Sequence, residues 1–253
     1  MKRIVIFGAT SAIAQACARI WAGRGDTLYL VGRRSERLEA VAGDLEVRGA
    51  GLVKWEAHDL ADLEAHEAIV DRAFAALGGV DVALIAHGTL GDQTLLKEDP
   101  SLAMDSIRVN FVSAASLLSH LANRMEKQGS GCLAVISSVA GDRGRQSNYV
   151  YGAAKAGLSA FASGLRGRLA TSGVSVLTIK PGFVDTPMTA HVKKGILFAS
   201  PETVAQGIVR AIDRKKDVVY VPGFWRPIMW LIRSLPVHRY VRVKDQVIWD
   251  LIA

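Results

Sequence analysis

The chain has 253 residues, half of them hydrophobic, and a formal net charge of +7. This length and composition exclude a disordered or collagen-like chain and suit one α/β domain with a sizeable core. The basic surplus favours anionic partners, such as a phosphate-bearing cofactor, an acidic membrane surface or nucleic acid.

Apolar runs of strand length alternate with segments of helical period along most of the chain. Strands are predicted over residues 3–7, 27–31, 52–57, 80–85, 133–137, 174–180 and 218–221. Helices are predicted over residues 12–24, 36–48, 63–77, 102–127, 151–171 and 202–214. This order predicts an α/β fold of a single domain, in which helices cover both faces of a doubly wound, parallel seven-stranded sheet.

The first predicted strand runs into a turn of small residues that opens a helix, Gly8-Ala9-Thr10-Ser11-Ala12-Ile13-Ala14. Such a turn presents backbone N–H groups to a pyrophosphate, although small residues also allow plain strand–helix packing. It resembles the Thr-Gly-x-x-x-Gly-x-Gly turn of the short-chain dehydrogenase/reductase family, with Ala12 and Ala14 replacing the later glycines. The resemblance implies a Rossmann-like fold. The two alanines add methyl groups where backbone and cofactor come close, so they are expected to affect the affinity for the cofactor. The resemblance also implies that the cofactor contacts Gly8, Thr10, Ser11 and Ile13.

The second predicted strand ends in Gly32-Arg33-Arg34. Sites that choose NAD place a carboxylate near this point, whereas sites that choose NADP need cations for the 2′-phosphate. Guanidinium groups bind phosphate through forked hydrogen bonds, so the sequence favours NADP(H), with Arg33 the stronger candidate and Arg34 beside it. The alternative is that both arginines are only a solvated start to the next helix.

Two more strand ends match cofactor-contacting segments of the family. The resemblance implies that Asp59 contacts the adenine and that Leu60 lines its pocket, although Asp59 could equally cap the next helix. After the fourth strand the family's Asn-Ala-Gly is replaced by Ala86-His87-Gly88, and cofactor contacts are expected at Ala86 and Gly88. No catalytic role is predicted for His87.

The most specific pattern joins the fifth strand to the helix that follows it. Ser138 comes at the strand end, and Tyr151-Gly152-Ala153-Ala154-Lys155 follows thirteen positions later. Tyr151 and Lys155 are four residues apart and share one helix face, which Tyr149 does not. The family spacing selects Ser138 over Ser137, and Asn110 matches the family's fourth catalytic residue. The predicted catalytic set is therefore Asn110, Ser138, Tyr151 and Lys155.

These side chains suit the reduction of a ketone, in which charge grows on the carbonyl oxygen. Tyr151 would donate the proton. The Lys155 ammonium and the positive nicotinamide of the oxidised cofactor should lower the pKa of Tyr151. Ser138 would hold the carbonyl. The resemblance implies that Lys155 and Tyr151 also contact the cofactor and that Asn110 anchors a water. It also implies further cofactor contacts after the sixth strand, from Pro181, Gly182, Val184 and Thr186.

Two irregular segments are expected near the substrate. Residues 186–200 predict either a lid over the carboxyl ends of the strands or an ordinary surface loop. Residues 141–146 carry Arg143 and Arg145, which suit an anionic group such as phosphate, against the alternative of solvated surface charge.

The sequence is predicted to consist of a catalytic domain, residues 1–222, and an apolar and basic C-terminal extension, residues 223–253. Trp and Arg at the edges of a short apolar segment suit a membrane interface, and residues 238–244 are basic again. The alternatives are a contact with another subunit or a cover for the substrate pocket. No segment reaches the roughly 20 apolar residues needed to cross a bilayer, and no signal peptide is visible. A cytoplasmic location is expected, with peripheral contact at the inner membrane face.

The function predicted from these features is NADPH-dependent reduction of a ketone. Within the family, residues 80–91, 141–145 and 218–233 are similar to reductases of polyprenylphosphoryl 2-keto-pentoses in cell-wall arabinan synthesis. The alternatives are a soluble reductase of a 3-oxoacyl thioester or small ketone, and a non-catalytic NADPH-binding regulator. The family implies a homodimer or homotetramer. No nucleic-acid motif is present. Cys17 and Cys132 lack metal-ligand spacing, so no metal site is expected.

Overall fold

A computed structural model describes residues 1–190 and 192–236. Seven strands form one sheet in the order β3-β2-β1-β4-β5-β6-β7, and every pairing is parallel. The strands are β1 Arg3–Phe7, β2 Thr27–Gly32, β3 Leu52–Ala57, β4 Val82–Ile85, β5 Gly131–Ile136, β6 Val174–Pro181 and β7 Val218–Val221. The predicted fold class, a doubly wound α/β domain with a seven-stranded parallel sheet, is confirmed.

Nine α-helices connect or follow the strands within the described residues. They are α1 Ala12–Ala22, α2 Ser35–Val47, α3 His66–Leu77, α4 Gln93–Glu98, α5 Pro100–Ile107, α6 Ser113–Gln128, α7 Tyr149–Arg168, α8 Pro201–Asp213 and α9 Trp225–Ser234. None of them is both long and apolar enough to span a membrane.

The predicted long helix over residues 102–127 is wrong in one respect, because it is built from three segments. Helix α5 begins at Pro100, where the side chain of Asp99 accepts a hydrogen bond from the Ser101 N–H at 2.8 Å. A π-helical stretch, Arg108–Val112, then joins α5 to α6. Sequence periodicity cannot detect this stretch, because one wider turn shifts the apolar pattern by a single residue.

Helices cover both faces of the sheet, and side chains alternate between them along each strand. Ile4 and Ile6 of β1 belong to the apolar cluster under α1, α2 and α8, and Val5 and Phe7 to the cluster under α3, α6 and α7. The strand order reverses between β1 and β4, so a crevice opens at their carboxyl ends. The predicted site segments follow β1, β4, β5 and β6 and therefore meet at this edge.

Helix α9 lies outside the two main layers and packs over the same edge. Its Trp225 is fully buried, and a methyl group added to Gly182 would lie 1.9 Å from that indole. Trp225, Met229 and Ile232 form a third apolar cluster with Val139, which directly follows Ser138. The predicted boundary at residue 222 thus falls just before a helix that packs on the catalytic edge, and residues 237–253 of the predicted extension lie outside the described residues.

Candidate active site

The turn after β1 has the backbone conformation that a glycine at position 8 permits. Gly8 has a φ of +81°, and an added Cβ would lie 2.5 Å from the backbone nitrogen of His87. The N–H groups of Gly8 and Ala9 donate to the Val31 carbonyl, so β1 and β2 enter the turn together. The close approach of the β1 and β4 ends therefore excludes any side chain at position 8.

Helix α1 begins directly after this turn. Ser11 is its N-cap, and the Ser11 side chain accepts a hydrogen bond from the Ala14 N–H at 3.2 Å. Ala12 is the first helical residue, and Ala14 is buried in the core. Both alanines therefore stand in ordinary helical backbone, which alanine favours, and the missing glycines do not disturb the turn. Thr10 and Ile13 lie in the same segment and are half-buried.

The end of β2 carries two exposed arginines beside the first turn. An added Cβ on Gly32 would lie 3.6 Å from the Thr10 methyl group, so the two segments touch. Arg33 and Arg34 are exposed, and neither forms a salt bridge with any residue that the structure describes. Two guanidinium groups at the crevice are thus available to an anion.

The segment after β3 carries Asp59 and Leu60, for which contacts with the adenine are expected. Asp59 accepts a hydrogen bond from the Ala61 N–H at 3.0 Å and stands well before α3, so it does not cap that helix. Leu60 is buried. Its carbonyl accepts hydrogen bonds from Ser113 Oγ and, at 3.0 Å, from His66 Nε2. These bonds fix the Leu60 backbone from below.

His87 is held in the same buried network. His87 Nε2 lies 2.9 Å from Ser113 Oγ, and because Ser113 gives its proton to the Leu60 carbonyl, Nε2 is the donor. Burial first, and then the charge of Lys155, lowers the pKa of His87 to about 3. A neutral imidazole in this network helps to fix the backbone at the ends of β3 and β4. Ala86, beside it, donates its N–H to the Phe7 carbonyl at 2.8 Å.

Tyr151 and Lys155 project from the first turns of α7 toward the end of β5. The Ser138 side chain lies close enough to Tyr151 to affect the Tyr151 pKa, and Lys155 Nζ lies 5.7 Å from the centre of the Tyr151 ring. Lys155 Nζ also donates to the Ile136 carbonyl at 2.9 Å. Tyr149 is exposed on another side of α7. The structure thus brings Ser138, Tyr151 and Lys155 together, as the spacing predicted.

Asn110 completes the group from the π-helical stretch. Its amide nitrogen donates to the carbonyls of Thr89 and Ser106, at 2.8 and 2.9 Å, and its Oδ1 accepts from the Thr89 N–H at 3.0 Å. An added Cβ on Gly88 would lie 2.7 Å from Asn110 Oδ1 and 3.6 Å from Lys155 Nζ. Gly88 therefore leaves the narrow space between Asn110 and Lys155 open.

Burial shifts the pKa values of Tyr151 and Lys155 in opposite directions. Burial raises the pKa of Tyr151 to about 12, against smaller lowering effects of the Ser138 hydrogen bond and the Arg145 charge. Burial lowers the pKa of Lys155 to about 8. In the chain without cofactor, removal of water from the tyrosinate outweighs the lowering effects of Ser138 and Arg145, and the lowering expected with the oxidised nicotinamide bound stays a prediction.

Ser137 and Ser138 have different partners at the end of β5. Ser137 Oγ donates to the Lys155 carbonyl at 2.9 Å and lies 2.7 Å from Ser159 Oγ, which ties β5 to α7. Ser138 Oγ accepts from the Ala140 N–H at 3.1 Å and caps the short 3-10 turn Val139–Gly141. The Ser137 hydroxyl is thus engaged in tying β5 to α7, whereas Ser138 lies beside Tyr151.

The segment after β6 borders the crevice opposite the first turn. Pro181 ends β6, and the Gly182 N–H donates to the Val221 carbonyl at 3.2 Å. Val184 is buried and bridges to Ala199, while the Thr186 N–H donates to Thr189 Oγ1 at 3.2 Å. The described part of residues 186–200 is irregular apart from a 3-10 turn, Pro187–Thr189.

The loop after Ser138 is anchored by residues that the sequence did not single out. Asp142 forms an ion pair with Lys180 of β6 and accepts a hydrogen bond from Tyr220 of β7 at 2.6 Å. Arg143 donates to the Leu235 carbonyl at 3.2 Å, just beyond α9. The hypothesis that Arg143 faces an anionic substrate is thus weakened, because its guanidinium ties the loop to α9. The sequence carries no signal for this contact, because Arg143 and Leu235 are 92 positions apart.

Comparison with known proteins is consistent with this geometry. The model of the short chain dehydrogenase family matches residues 2–196. An uncharacterized oxidoreductase of Mycobacterium tuberculosis is 41% identical over 233 residues, covering 92% of this chain and 93% of the relative. An uncharacterized oxidoreductase of Streptomyces coelicolor is 39% identical over 241 residues, covering 93% of each chain.

A solved structure has the same fold. It is a variant of actinorhodin polyketide ketoreductase with NADPH, and it superposes with a TM-score of 0.78 at 22% identity. The match covers 87% of this chain and 95% of that one. At this identity the likeness extends to the fold alone.

Proposed function

The chain belongs to the short-chain dehydrogenase family, and from that premise we propose that it reduces a ketone to a secondary alcohol with NADPH. The observation that carries this proposal is the convergence of Ser138, Tyr151, Lys155 and Asn110 at one edge of the sheet. No group of residues that could hold a metal ion occurs in the described part of the chain, and the proposed chemistry uses side chains and a nicotinamide.

We propose that a dinucleotide binds at the crevice between the ends of β1 and β4. Gly8 lets the ends of β1 and β4 approach each other closely, and α1 begins at Ala12 directly after this turn, where the N–H groups of a helix N-terminus would suit a pyrophosphate. When bound, NADPH would supply the hydride. The residues that would hold it are Gly8, Thr10, Ser11, Ile13, Arg33, Arg34, Asp59, Leu60, Ala86, Gly88, Tyr151, Lys155, Pro181, Gly182, Val184 and Thr186.

The preference for the phosphorylated cofactor rests on the end of β2. Gly32 leaves no carboxylate to meet ribose hydroxyls, and Arg33 and Arg34 offer exposed guanidinium groups there. A 2′-phosphate can accept forked hydrogen bonds from such groups.

Each catalytic side chain then has one task. Ser138 would donate a hydrogen bond to the substrate carbonyl, and Tyr151, protonated throughout the neutral range, would give its proton to that oxygen as charge develops. Lys155, held near the Tyr151 ring, would stabilise the tyrosinate left behind. Asn110 binds the Thr89 backbone through Oδ1 and Nδ2. It would anchor a water that returns a proton to Tyr151 after each reduction.

Replacement of Tyr151 by Phe tests this assignment. We expect the Tyr151→Phe variant to lose ketone turnover by at least about 100-fold, the scale of general acid catalysis, with NADPH affinity changed little. NADPH oxidation and fluorescence titration of NADPH measure the two quantities. Tyr149→Phe is the matched control and should keep full activity. Turnover retained by Tyr151→Phe would remove Tyr151 from the role.

For the substrate, we propose a polyprenylphosphoryl 2-keto-pentose, reduced by an enzyme in peripheral contact with the inner membrane face. The charge of Arg145 has a small lowering effect on the Tyr151 pKa, which supports an anionic group in the substrate near this loop. Trp230 and Leu231 of α9 are exposed on the helix that covers this edge, which suits a lipid-linked substrate.

The competing substrate is a 3-oxoacyl thioester, and the similar solved structure is titled as a polyketide ketoreductase. NADPH oxidation would be measured with the lipid-linked keto sugar and the thioester offered side by side. Turnover of the keto sugar alone supports the lipid-linked substrate, and turnover of the thioester alone sinks it. Tight NADPH binding without turnover of any ketone would instead indicate a non-catalytic regulator.

We also propose a homodimer, or a homotetramer built from it, formed through α7. Ala153, Ala156 and Ala160 are exposed along one side of this helix and leave its backbone accessible to a flat partner. Beside them, Met104 and Tyr149 are exposed apolar side chains at the groove between α5 and α7. An uncovered apolar surface of this kind favours association.

A further inference from the structure

Helix α9 is amphipathic, and its inner side is fixed to the catalytic edge. Trp225, Met229 and Ile232 are buried and pack with Val139, the residue after Ser138. Phe183, the residue after Gly182, stands edge-on to the Trp225 ring at 5.6 Å between centroids. The orientation of α9 is therefore set by the catalytic segments, and its other side must face away from them.

The outer side of α9 is apolar although it faces solvent. Trp230 is 71% exposed and Leu231 is 59% exposed, and Phe224, just before the helix, is 41% exposed. Ile196 is 90% exposed and precedes Leu197, which packs against the α9 cluster. A group of large apolar side chains of this kind is costly in water and marks an interaction site.

Basic residues flank this apolar surface. Arg226 lies four residues before Trp230 and Arg233 three residues after it, so all three side chains share one face of the helix. Both arginines are exposed, and Arg233 also interacts with Tyr220. The sequence contains no Asp or Glu between Asp217 and Asp245. The surface is thus apolar at its centre and cationic at both ends.

Charge decides between the occupants that could cover such a face. A second copy of this chain, paired about a two-fold axis, would bring its own arginines against Arg226 and Arg233, and residues 218–244 supply no acid to pair them. An anionic lipid surface accepts Trp and Leu at the headgroup boundary and attracts arginines on either side of them. The 10 residues of α9 are too few to span the bilayer, so the helix would lie in its plane.

We propose that the outer face of α9, with Phe224 and Ile196, docks the protein on an anionic lipid bilayer. Docking there holds the catalytic edge against the headgroups, where a lipid-linked ketone presents its polar end. This docking deepens the proposed function, because it names the surface from which a lipid-linked substrate would enter.

Co-sedimentation of the full chain with vesicles tests the docking. We expect retention on vesicles of phosphatidylglycerol and phosphatidylcholine and little retention on phosphatidylcholine alone. The Trp230→Ser/Leu231→Ser variant should lose at least about 10-fold in partitioning, because its interfacial anchors are gone. Arg226→Gln should lose about 5-fold, the effect of one basic residue near an anionic surface. Val47→Ser/Leu52→Ser, which changes exposed apolar residues elsewhere, is the control and should bind as the unchanged chain does.

Vesicle binding by Trp230→Ser/Leu231→Ser equal to that of the unchanged chain would overturn the proposal. A change of oligomeric state in that variant, with no vesicle binding by the unchanged chain, would assign the face to a second copy and also overturn it. Turnover of a water-soluble ketone separates this test from the proposed function. Docking without any ketone turnover would sink the reductase and leave the lipid contact standing.

Discussion

At the scale of single residues, burial shifts the two central pKa values in opposite directions. The pKa of Tyr151 rises to about 12 and that of Lys155 falls to about 8, because in each case the charged form loses its hydration. The neutral phenol is a proton donor, which suits reduction. The same burial destabilises the charged form of Lys155, whose ammonium donates to the Ile136 carbonyl.

The buried Lys155 ammonium makes stability depend on pH. The pKa of Lys155 is about 8 in the folded chain and 10.5 when free, so its burial penalty is full below about pH 8 and is relieved as pH rises. We expect the free energy of unfolding to rise from about pH 7.5 to about pH 9.5 by about 2 kcal/mol more in the unchanged chain than in Lys155→Met. Urea unfolding at the two pH values measures this difference. Equal pH dependence in both proteins would show that the ammonium is not desolvated.

Cofactor choice also rests on single side chains. We expect Arg33→Ala to raise the KM for NADPH at least about 10-fold, through loss of a charge-assisted phosphate contact, and to leave the KM for NADH nearly unchanged. Steady-state kinetics with both cofactors measure the ratio. Arg37→Ala, a nearby exposed arginine inside α2, is the control. A parallel rise for NADPH and NADH would contradict the phosphate contact.

At the scale of elements, the turn that carries Ser138 is held on two sides. An added Cβ on Gly141 would lie 2.7 Å from the Ala156 nitrogen, and one on Gly152 would lie 2.9 Å from the Ala140 carbonyl, so the turn presses on α7. On its other side, Asp142 binds Lys180 and Tyr220, with the Asp142 and Lys180 side chains only 2% and 13% exposed. Two strands and a helix thus fix the distance between Ser138 and Tyr151.

Breaking this anchor should cost both stability and alignment. We expect Asp142→Ala to lower the free energy of unfolding by about 3 kcal/mol, because it leaves the Lys180 charge buried without a partner. Tyr220→Phe, which removes one hydrogen bond, should cost about 1 kcal/mol. Denaturant unfolding gives both values. The double change Asp142→Ala/Lys180→Met should recover part of the loss, and failure to do so would mean that the ion pair is not the cause.

At the scale of the whole molecule, the two layers have different outer surfaces. Helices α1, α2 and α8 cover one face of the sheet, whereas α3, α6 and α7 cover the other, where α7 presents exposed small residues. A dimer formed through α7 would leave the catalytic edge and α9 of each copy accessible. Docking on lipid and self-association can therefore coexist.

The dimer can be tested through one position on each layer. We expect Ala156→Arg to convert the protein to a monomer in sedimentation velocity, because a long cation would separate two closely packed helices. Ala40→Arg, at an exposed position on α2, is the control and should sediment as the unchanged chain does. An unchanged sedimentation coefficient for Ala156→Arg would place the interface elsewhere.

The parallel sheet and the set of residues that meet at its carboxyl edge follow from the amino-acid sequence alone. The alternation of strand-like and helix-like segments is local and predicts the parallel doubly wound topology, and the resemblance to the family, with its thirteen-residue spacing from Ser138 to Tyr151, predicts the site residues. The roles of the site residues stay predictions until the variants are measured.

Contacts between distant segments, in contrast, could be read only from the folded chain. Asp142 meets Tyr220 across 78 positions, and Arg143 meets Leu235 across 92, and no periodicity encodes such pairings. The rise in the Tyr151 pKa belongs to the same class, because it depends on how completely other segments exclude water from the phenol. The tertiary structure also decides which side of α9 is buried. Trp225 packs against Gly182, and Trp230 and Leu231 are left exposed.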